Sequence, residues 1–304
     1  MQENSHHGHE HHHGEIKGNR LLIATVLNFI IATAEIIGGI FSNSLSLISD
    51  AFHNLSDATA VLIAWIAHRI SKKPSNARRT FGYKRIEILA ALLNAVVLAV
   101  ISIYLFYEAA LRLMEPEPVK GLIMLVVASI GLVANLLAVL LLHRDSRRNI
   151  NFKAAYLHLL GDTLSSVAVI IGAILIYYFE IYWVDPVITI LIGLYILKET
   201  FVILKQANDI LMQGTPESAN LDRIVQDLQT IPEVGNIHHV HIWNLDDQSI
   251  HFECHVDLKK DTLLSEAGKV YCAMEELLRE KHGISHITIQ LEHEWCDDKD
   301  MIHH

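Results

Sequence analysis

Six stretches of this chain are each long and apolar enough to cross a bilayer: Leu21–Phe41, Leu45–Ile70, Ile86–Leu113, Val119–Leu142, Phe152–Tyr178 and Trp183–Leu204. A helix needs about 20 apolar residues to traverse the hydrocarbon layer, and backbone inside that layer must satisfy its own hydrogen bonds. The six stretches are therefore expected to be transmembrane helices. The apolar excess, 51% of 304 residues, lies almost wholly before residue 206, and the remainder is charged and amphipathic. The expected division is a His-rich cytoplasmic tail (1–19), a six-helix transmembrane domain (20–206), a small cytoplasmic α+β domain (207–295) and a C-terminal tail (296–304).

The loops SKKPSNARRTFGYKR and HRDSRRNINFK are rich in Lys and Arg, whereas FSNS, MEPEPVK and FEIYW are not. Cytoplasmic loops carry the basic excess, so both termini are expected in the cytoplasm. The start, MQENSHHGHEHHHGEIKGNR, has no apolar core with a small-residue cleavage site, so the first apolar run is expected to stay in the mature protein. Its histidines, interrupted by Gly and Glu, read as a native metal-gathering tail and not as a cloning tag. The net charge of -10 decides little, because the acidic residues concentrate in the C-terminal third, and the charge pattern calls for no nucleic acid. Three cysteines, Cys254, Cys272 and Cys296, show no Cys-x-x-Cys spacing. They support neither a disulfide framework nor a thiolate zinc finger, and they suit a reducing cytosol.

The second span contains SDAFHNLSDATAVLIAW and the fifth AAYLHLLGDTLSSVAVI. Each puts a histidine and an aspartate four residues apart on one helical face, His53 with Asp57 and His158 with Asp162. Ionisable groups at that depth cost about 2.5–3.5 kcal/mol each, so they need a protein interior or a water cavity and a partner. Two readings follow. Each His can bond its own Asp in a private buried pair; or two imidazoles and two carboxylates together form the four-ligand tetrahedral shell that zinc accepts. Repetition in two separate spans favours the metal site. Two carboxylates neutralise a dication, and imidazole titrates near neutral pH, so exchange of metal for protons is the expected chemistry. Nitrogen and carboxylate donors without thiolate suit Zn2+, Co2+ or Cd2+, with zinc favoured.

Asn28, Glu35, Asp50, Asn54, Asn94, Glu108, Asn135 and Asp185 also fall within spans and are read mostly as structural. Asp50, three residues before His53, is a candidate accessory residue that orients a ligand or lines the way in. Glu35 stands in AEIIGGIF, where Gly38 and Gly39 are read as close-packing positions.

After Gly214-Thr215-Pro216, ESANLDRIVQDLQTI has helical periodicity, HHVHIWNLDD and QSIHFECHVDL alternate as strands, and a helix near 263–281 precedes the strand ITIQLEHEW. The order α-β-β-α-β predicts a ferredoxin-like two-layer α+β domain. His251, Glu253, His255 and Asp257 share one strand face, as do His286, Thr288, Gln290 and Glu292. With His238, His239 and His241 they offer a cytosolic zinc site; the alternative is an ordinary solvated sheet face.

The chain resembles the cation diffusion facilitator family of zinc transporters over nearly its whole length. The resemblance is carried by NSLSLISDAFHNLSDA, FGYKRIE, HLLGDTLSS, VDPVIT and ILMQGTP. It implies a homodimeric antiporter that exports divalent metal from a bacterial cytoplasm across the inner membrane by alternating access, with His53, Asp57, His158 and Asp162 as transport ligands. It implies regulatory zinc at His238, His255 and Glu292, together with Gln290 or His286, and a further ligand from Cys296, with His293, across the dimer. Some relatives hold a further metal with His and Asp in the loop between the second and third spans; here that loop has Tyr83 and no histidine, so no metal is expected there. Two other readings are an intramembrane zinc enzyme, for which no His-Glu-x-x-His signature is present, and a membrane-anchored metal sensor, which has no need of ligands inside its spans.

Overall fold

The computed structural model describes the backbone of residues 12–146, 150–294 and 300–302, and the side chains of 25–140, 156–157, 159–294 and 300–302. The His-rich tail before residue 12, the side chain of His158 and all of Cys296 lie outside the described residues. Six long helices come first: α1 (His12–Ser42), α2 (Leu45–Ser71), α3 (Ile86–Met114), α4 (Gly121–Ser146), α5 (Ile150–Phe179) and α6 (Val184–Leu211). All except α2 contain an apolar stretch sufficient to cross a membrane by hydropathy. α2 has 27 residues, about 40 Å at 1.5 Å per residue, and falls short in hydropathy because its first half carries Ser46, Ser49, Asp50, His53, Asn54, Ser56 and Asp57.

The chain forms two compact units. One comprises residues up to Ile63 with Leu93–Val202; the other comprises Ala64–Leu92 with Ile203 onward. In the first unit Leu47, Met124, Val169, Ile176, Ile188, Ile192 and Ile196 form one buried cluster, while Val100, Tyr104, Leu140 and Leu191 on the outer faces are exposed. Apolar side chains inside and outside alike are what a hydrocarbon surrounding requires. Gly38 brings α1 against α4, where a Cβ would lie 2.6 Å from Val127 Cγ2.

The start of α2 is tied to the start of α6. Asp185, completely buried, accepts from Ser44 Oγ at 2.6 Å, Leu45 N at 2.7 Å, Ser46 N at 3.2 Å and Ser46 Oγ at 2.6 Å. A carboxylate at a helix N-terminus satisfies amides that have no intrahelical partner and meets the positive end of the helix dipole. The preceding turn is made by Asn43 at φ +60°, a left-handed conformation that Asn tolerates. Arg112 of α3 locks it by donating to Asn43 O at 2.7 Å and Oδ1 at 3.0 Å.

In the second unit, α7 (Leu221–Leu228), β1 (Val234–Asn244), β2 (Ile250–Leu258), α8 (Leu264–His282) and β3 (His286–Glu292) follow α6. The sheet order is β1-β2-β3, with β1 and β2 antiparallel and β2 and β3 parallel. One sheet face, including Phe252, Cys254 and Val256, packs on Ile224, Leu228, Met274 and Leu278 of the helices. Burial pushes the Cys254 thiol up to about 12, so it packs as a small apolar group. α8 ends at Gly283, φ +66°, whose N–H reaches Arg279 O while Ile284 N reaches Leu278 O, a left-handed cap suited to glycine. The α2–α3 loop belongs to this unit: Lys84 Nζ donates to Ser249 Oγ at 2.9 Å and lies 3.4 Å from Asp246 Oδ2.

Removing the Asp185 carboxylate strands two buried amides and two hydroxyls. Asp185→Ala is expected to lower the stability of the detergent-solubilised protein by about 3 kcal/mol, and Asp185→Asn by less because one acceptor oxygen remains; chemical denaturation of the two variants checks the order.

Candidate metal sites

α2 and α5 bring the first site together. His53 Nε2 lies 3.2 Å from Asp162 Oδ1 of α5 and 3.7 Å from Asp57 Oδ2 one turn along its own helix. His53 and Asp162 are buried, whereas the Asp57 side chain is 26% exposed and forms the open side of the group. The three residues each offer one ligand atom within 4.8 Å of the others. His158 belongs to α5, one turn before Asp162, and its side chain is not among those described.

Asp50 is held by hydroxyls: Ser165 Oγ lies 2.5 Å from its Oδ1 and Ser166 Oγ 3.3 Å from its Oδ2. Asn135 Nδ2 donates onward to Ser166 Oγ at 3.3 Å. Tyr195 of α6 meets the His53 ring edge-on, with centroids 6.3 Å apart. Gly161 makes room for it, since a Cβ there would lie 2.7 Å from the Tyr195 hydroxyl. Sequence reasoning did not single out Tyr195, Ser165 or Ser166. Hydroxyl and aromatic residues are common in spans, and only the packing shows which of them face the site.

The second group lies on the sheet face away from α7 and α8. His238 of β1 pairs with His255 of β2, and β2 pairs with β3 so that His255 faces Gln290 and Asp257 faces Glu292. His238, His255 and Glu292 place one ligand atom each within 4.8 Å. His255 Nδ1 is 2.9 Å from Glu292 Oε1 and His238 Nε2 is 3.5 Å from Oε2. These contacts are close but misaligned for hydrogen bonding: both His238 nitrogens, His255 Nδ1 and Glu292 Oε2 are buried without a hydrogen-bond partner. Buried polar atoms without partners are costly, and a shared cation would satisfy them together. A divalent metal cation therefore fits this donor set. Gln290 Nε2 donates to Glu292 Oε1 at 2.7 Å and acts here to orient the carboxylate.

A bulge shapes this group. The register slips between His238 and His241, and His239 within the slip has φ +51°. An extra residue in one strand re-aims its neighbours. The His239 ring consequently stacks on His255 at 4.7 Å and lies 4.9 Å from His241, and its N–H bonds Asp300 O at 3.2 Å.

His286 does not join this group. It is six residues before Glu292 on an extended strand, a separation of about 20 Å, and its ring stands 4.6 Å from that of His251. His293 is likewise turned away, with its Nδ1 2.9 Å from Leu258 O. His251 is buried against Trp243, at 5.4 Å, and Phe81, also at 5.4 Å.

Residues 21–212 match the family described as the cation efflux transmembrane domain, and residues 216–294 match the cytoplasmic domain of cation efflux proteins. Zinc transporter ZitB of Pectobacterium atrosepticum is 41% identical over 297 residues, covering 95% of this chain and 90% of that protein. Metal cation efflux system protein CzcD of Cupriavidus metallidurans is 38% identical over 298 residues, covering 98% and 93%. The cadmium, cobalt and zinc/H(+)-K(+) antiporter of Bacillus subtilis is 38% identical over 289 residues, covering 94% and 92%. The chain belongs to the cation diffusion facilitator family. It is a multi-pass membrane transporter for metal cation efflux and not an enzyme. Its six helices followed by an α+β domain are the architecture expected of that family from the sequence.

Burial, then the positive fields of His286 and Lys84, hold the His251 imidazole below its ordinary value. The unfolded chain therefore binds the proton first, and the stability of this unit falls as pH drops below about 6.5. His251→Phe, which keeps the ring and removes the titrating nitrogens, is expected to flatten that fall; denaturation midpoints of both proteins at about pH 5 and about pH 7.5 measure it.

Proposed function

We propose that the protein exports Zn2+, with Co2+ or Cd2+ as further substrates, from the bacterial cytoplasm in exchange for protons. The transport ligands are His53, Asp57, His158 and Asp162. The observation that supports this reading is the place of His53 Nε2, between Asp162 Oδ1 at 3.2 Å and Asp57 Oδ2 at 3.7 Å. Ionised carboxylates only accept hydrogen bonds, so in this arrangement the ring nitrogen between them carries a proton. The same lone pair is the one a metal needs. One nitrogen cannot hold both, so metal arrival displaces the proton and metal departure restores it.

His158, one turn from Asp162 on α5, completes two nitrogens and two oxygens, a donor set that suits zinc. Two carboxylates balance the dication, which keeps the loaded site neutral in a low-dielectric surrounding. Asp57, the exposed member, is the ligand through which the cation enters and leaves. Asp50 is an accessory residue that the Ser165 and Ser166 hydroxyls hold in place beside the ligands.

In the cytoplasmic domain, His238, His255 and Glu292 hold a regulatory zinc, and Gln290 orients the carboxylate. The ion supplies the cation that the buried atoms of this group lack and ties β1, β2 and β3 together. The protein acts as a homodimer with both termini in the cytoplasm, Cys296 adds a ligand across that dimer, and the His-rich tail gathers metal. The zinc transporter and antiporter among its relatives support zinc as substrate and protons as counter-ion.

In proteoliposomes with an imposed pH gradient, zinc moves one way and protons the other in the native protein. Asp162→Ala is expected to abolish both fluxes, and equal transport by the two proteins rejects the site. Glu292→Ala is expected to weaken zinc binding by the cytoplasmic domain by about tenfold or more while Asp162→Ala leaves it unchanged; equilibrium dialysis distinguishes the two sites.

A further inference from the structure

Glu35, on α1 and 1% exposed, is a buried acid that the proposed metal site does not use. Its Oε2 accepts from Asn54 Nδ2 at 2.9 Å. Its Oε1 is sealed from solvent and has no hydrogen-bond partner. Space for that oxygen is provided by the opposing helix α4, where a Cβ on Gly131 would lie 2.3 Å from it. The titratable groups whose fields reach Glu35 are Asp50 on α2 and Asp162 on α5, both acids. α4 contributes Gly131 and Asn135 on this side and no charged residue. No cation is paired with Glu35 among the described residues.

A buried carboxylate oxygen with no donor and no counter-charge is an expensive thing to maintain within a membrane. A proton on Oε1 removes the charge with the heavy atoms left as they are. We propose that Glu35 is a second proton-binding carboxyl, outside the metal ligands, that releases its proton when zinc arrives and recovers it when zinc leaves. The coupling is electrostatic. A dication bound by Asp57 and Asp162 cancels the negative field that Asp162 exerts at Glu35, and the O–H bond at Oε1 then breaks heterolytically, leaving the carboxylate and freeing H⁺. Asn54, which holds the other oxygen, directly follows the ligand His53 on α2, so the carboxyl is tied to the helix that carries the metal.

This inference rests on the proton exchange proposed above, and its test separates the two. Purified protein in weakly buffered detergent solution is titrated with zinc while released protons are counted with a pH dye. The native protein releases protons. Glu35→Gln, which keeps an acceptor for Asn54 and holds no exchangeable acid proton, still binds zinc but releases about one proton fewer per zinc at the pH where the native yield is greatest. Equal release by Glu35→Gln and native protein overturns the role of Glu35; absence of release from the native protein overturns the exchange itself. A measurement on the native protein covers the case in which the variant does not fold. The zinc-induced infrared difference spectrum should lose a protonated-carboxyl band that shifts on isotopic labelling of glutamate, and a spectrum without a labelled band overturns the proposal.

Discussion

The contact between His53 Nε2 and Asp162 Oδ1, 3.2 Å long and closed to solvent, is the constraint around which the transmembrane unit is organised. Neither group can be left alone inside a membrane, because each loses its hydration and gains nothing from hydrocarbon. α2 and α5 must therefore bring them together. Much of the surrounding polar arrangement extends that requirement outward. Asp50 is held by the serines of α5, Asn135 of α4 by one of the same serines, and Asn54 by Glu35 of α1. The Asp185 clamp on the first turn of α2 sets where that helix begins, and so determines the level at which His53 and Asp57 stand.

The cytoplasmic group reaches a comparable result by different means. A sheet alternates its residues between two faces, so one face of β2 closes the core with Phe252, Cys254 and Val256 while the other presents His251, Glu253, His255 and Asp257. Alternation alone spreads acids and histidines along a ribbon. The bulge at His239 and the parallel pairing of β3 collect His238, His255 and Glu292 into one cluster. At the far end of the same ribbon, the His251 and His286 rings lie tilted against each other, with Trp243 stacked on His251 and Lys84 nearby.

Local periodicity carried most of the fold. The lengths of the apolar runs determine helices that span a bilayer, and the two His-x-x-x-Asp spacings place their side chains on one helical face before any packing is known. The order α-β-β-α-β after Gly214 was legible because the period changes from helical to alternating and back. α2 shows that motif and span can oppose each other: the polar residues of its His-x-x-x-Asp motif lower its hydropathy, and it alone of the six long helices falls short of an apolar span. His286 shows the limit. Sharing a strand face with Glu292 says nothing about distance along the strand, and six residues of extended chain separate the two.

What the sequence determined by itself is therefore whatever depends on neighbours within one turn or one strand: six spans, two His–Asp pairs, and a polar sheet face rich in histidine. Tertiary structure alone decided that His53 meets Asp162 as well as its own Asp57, that Tyr195 and two serines border this group, that Gly131 opens a space for Glu35, and that a bulge lies beside His238. The physical reason is the same in each case. Desolvated charges and hydrogen bonds act between helices and strands that are far apart in sequence, and the closeness that gives them their strength exists only once the chain is packed.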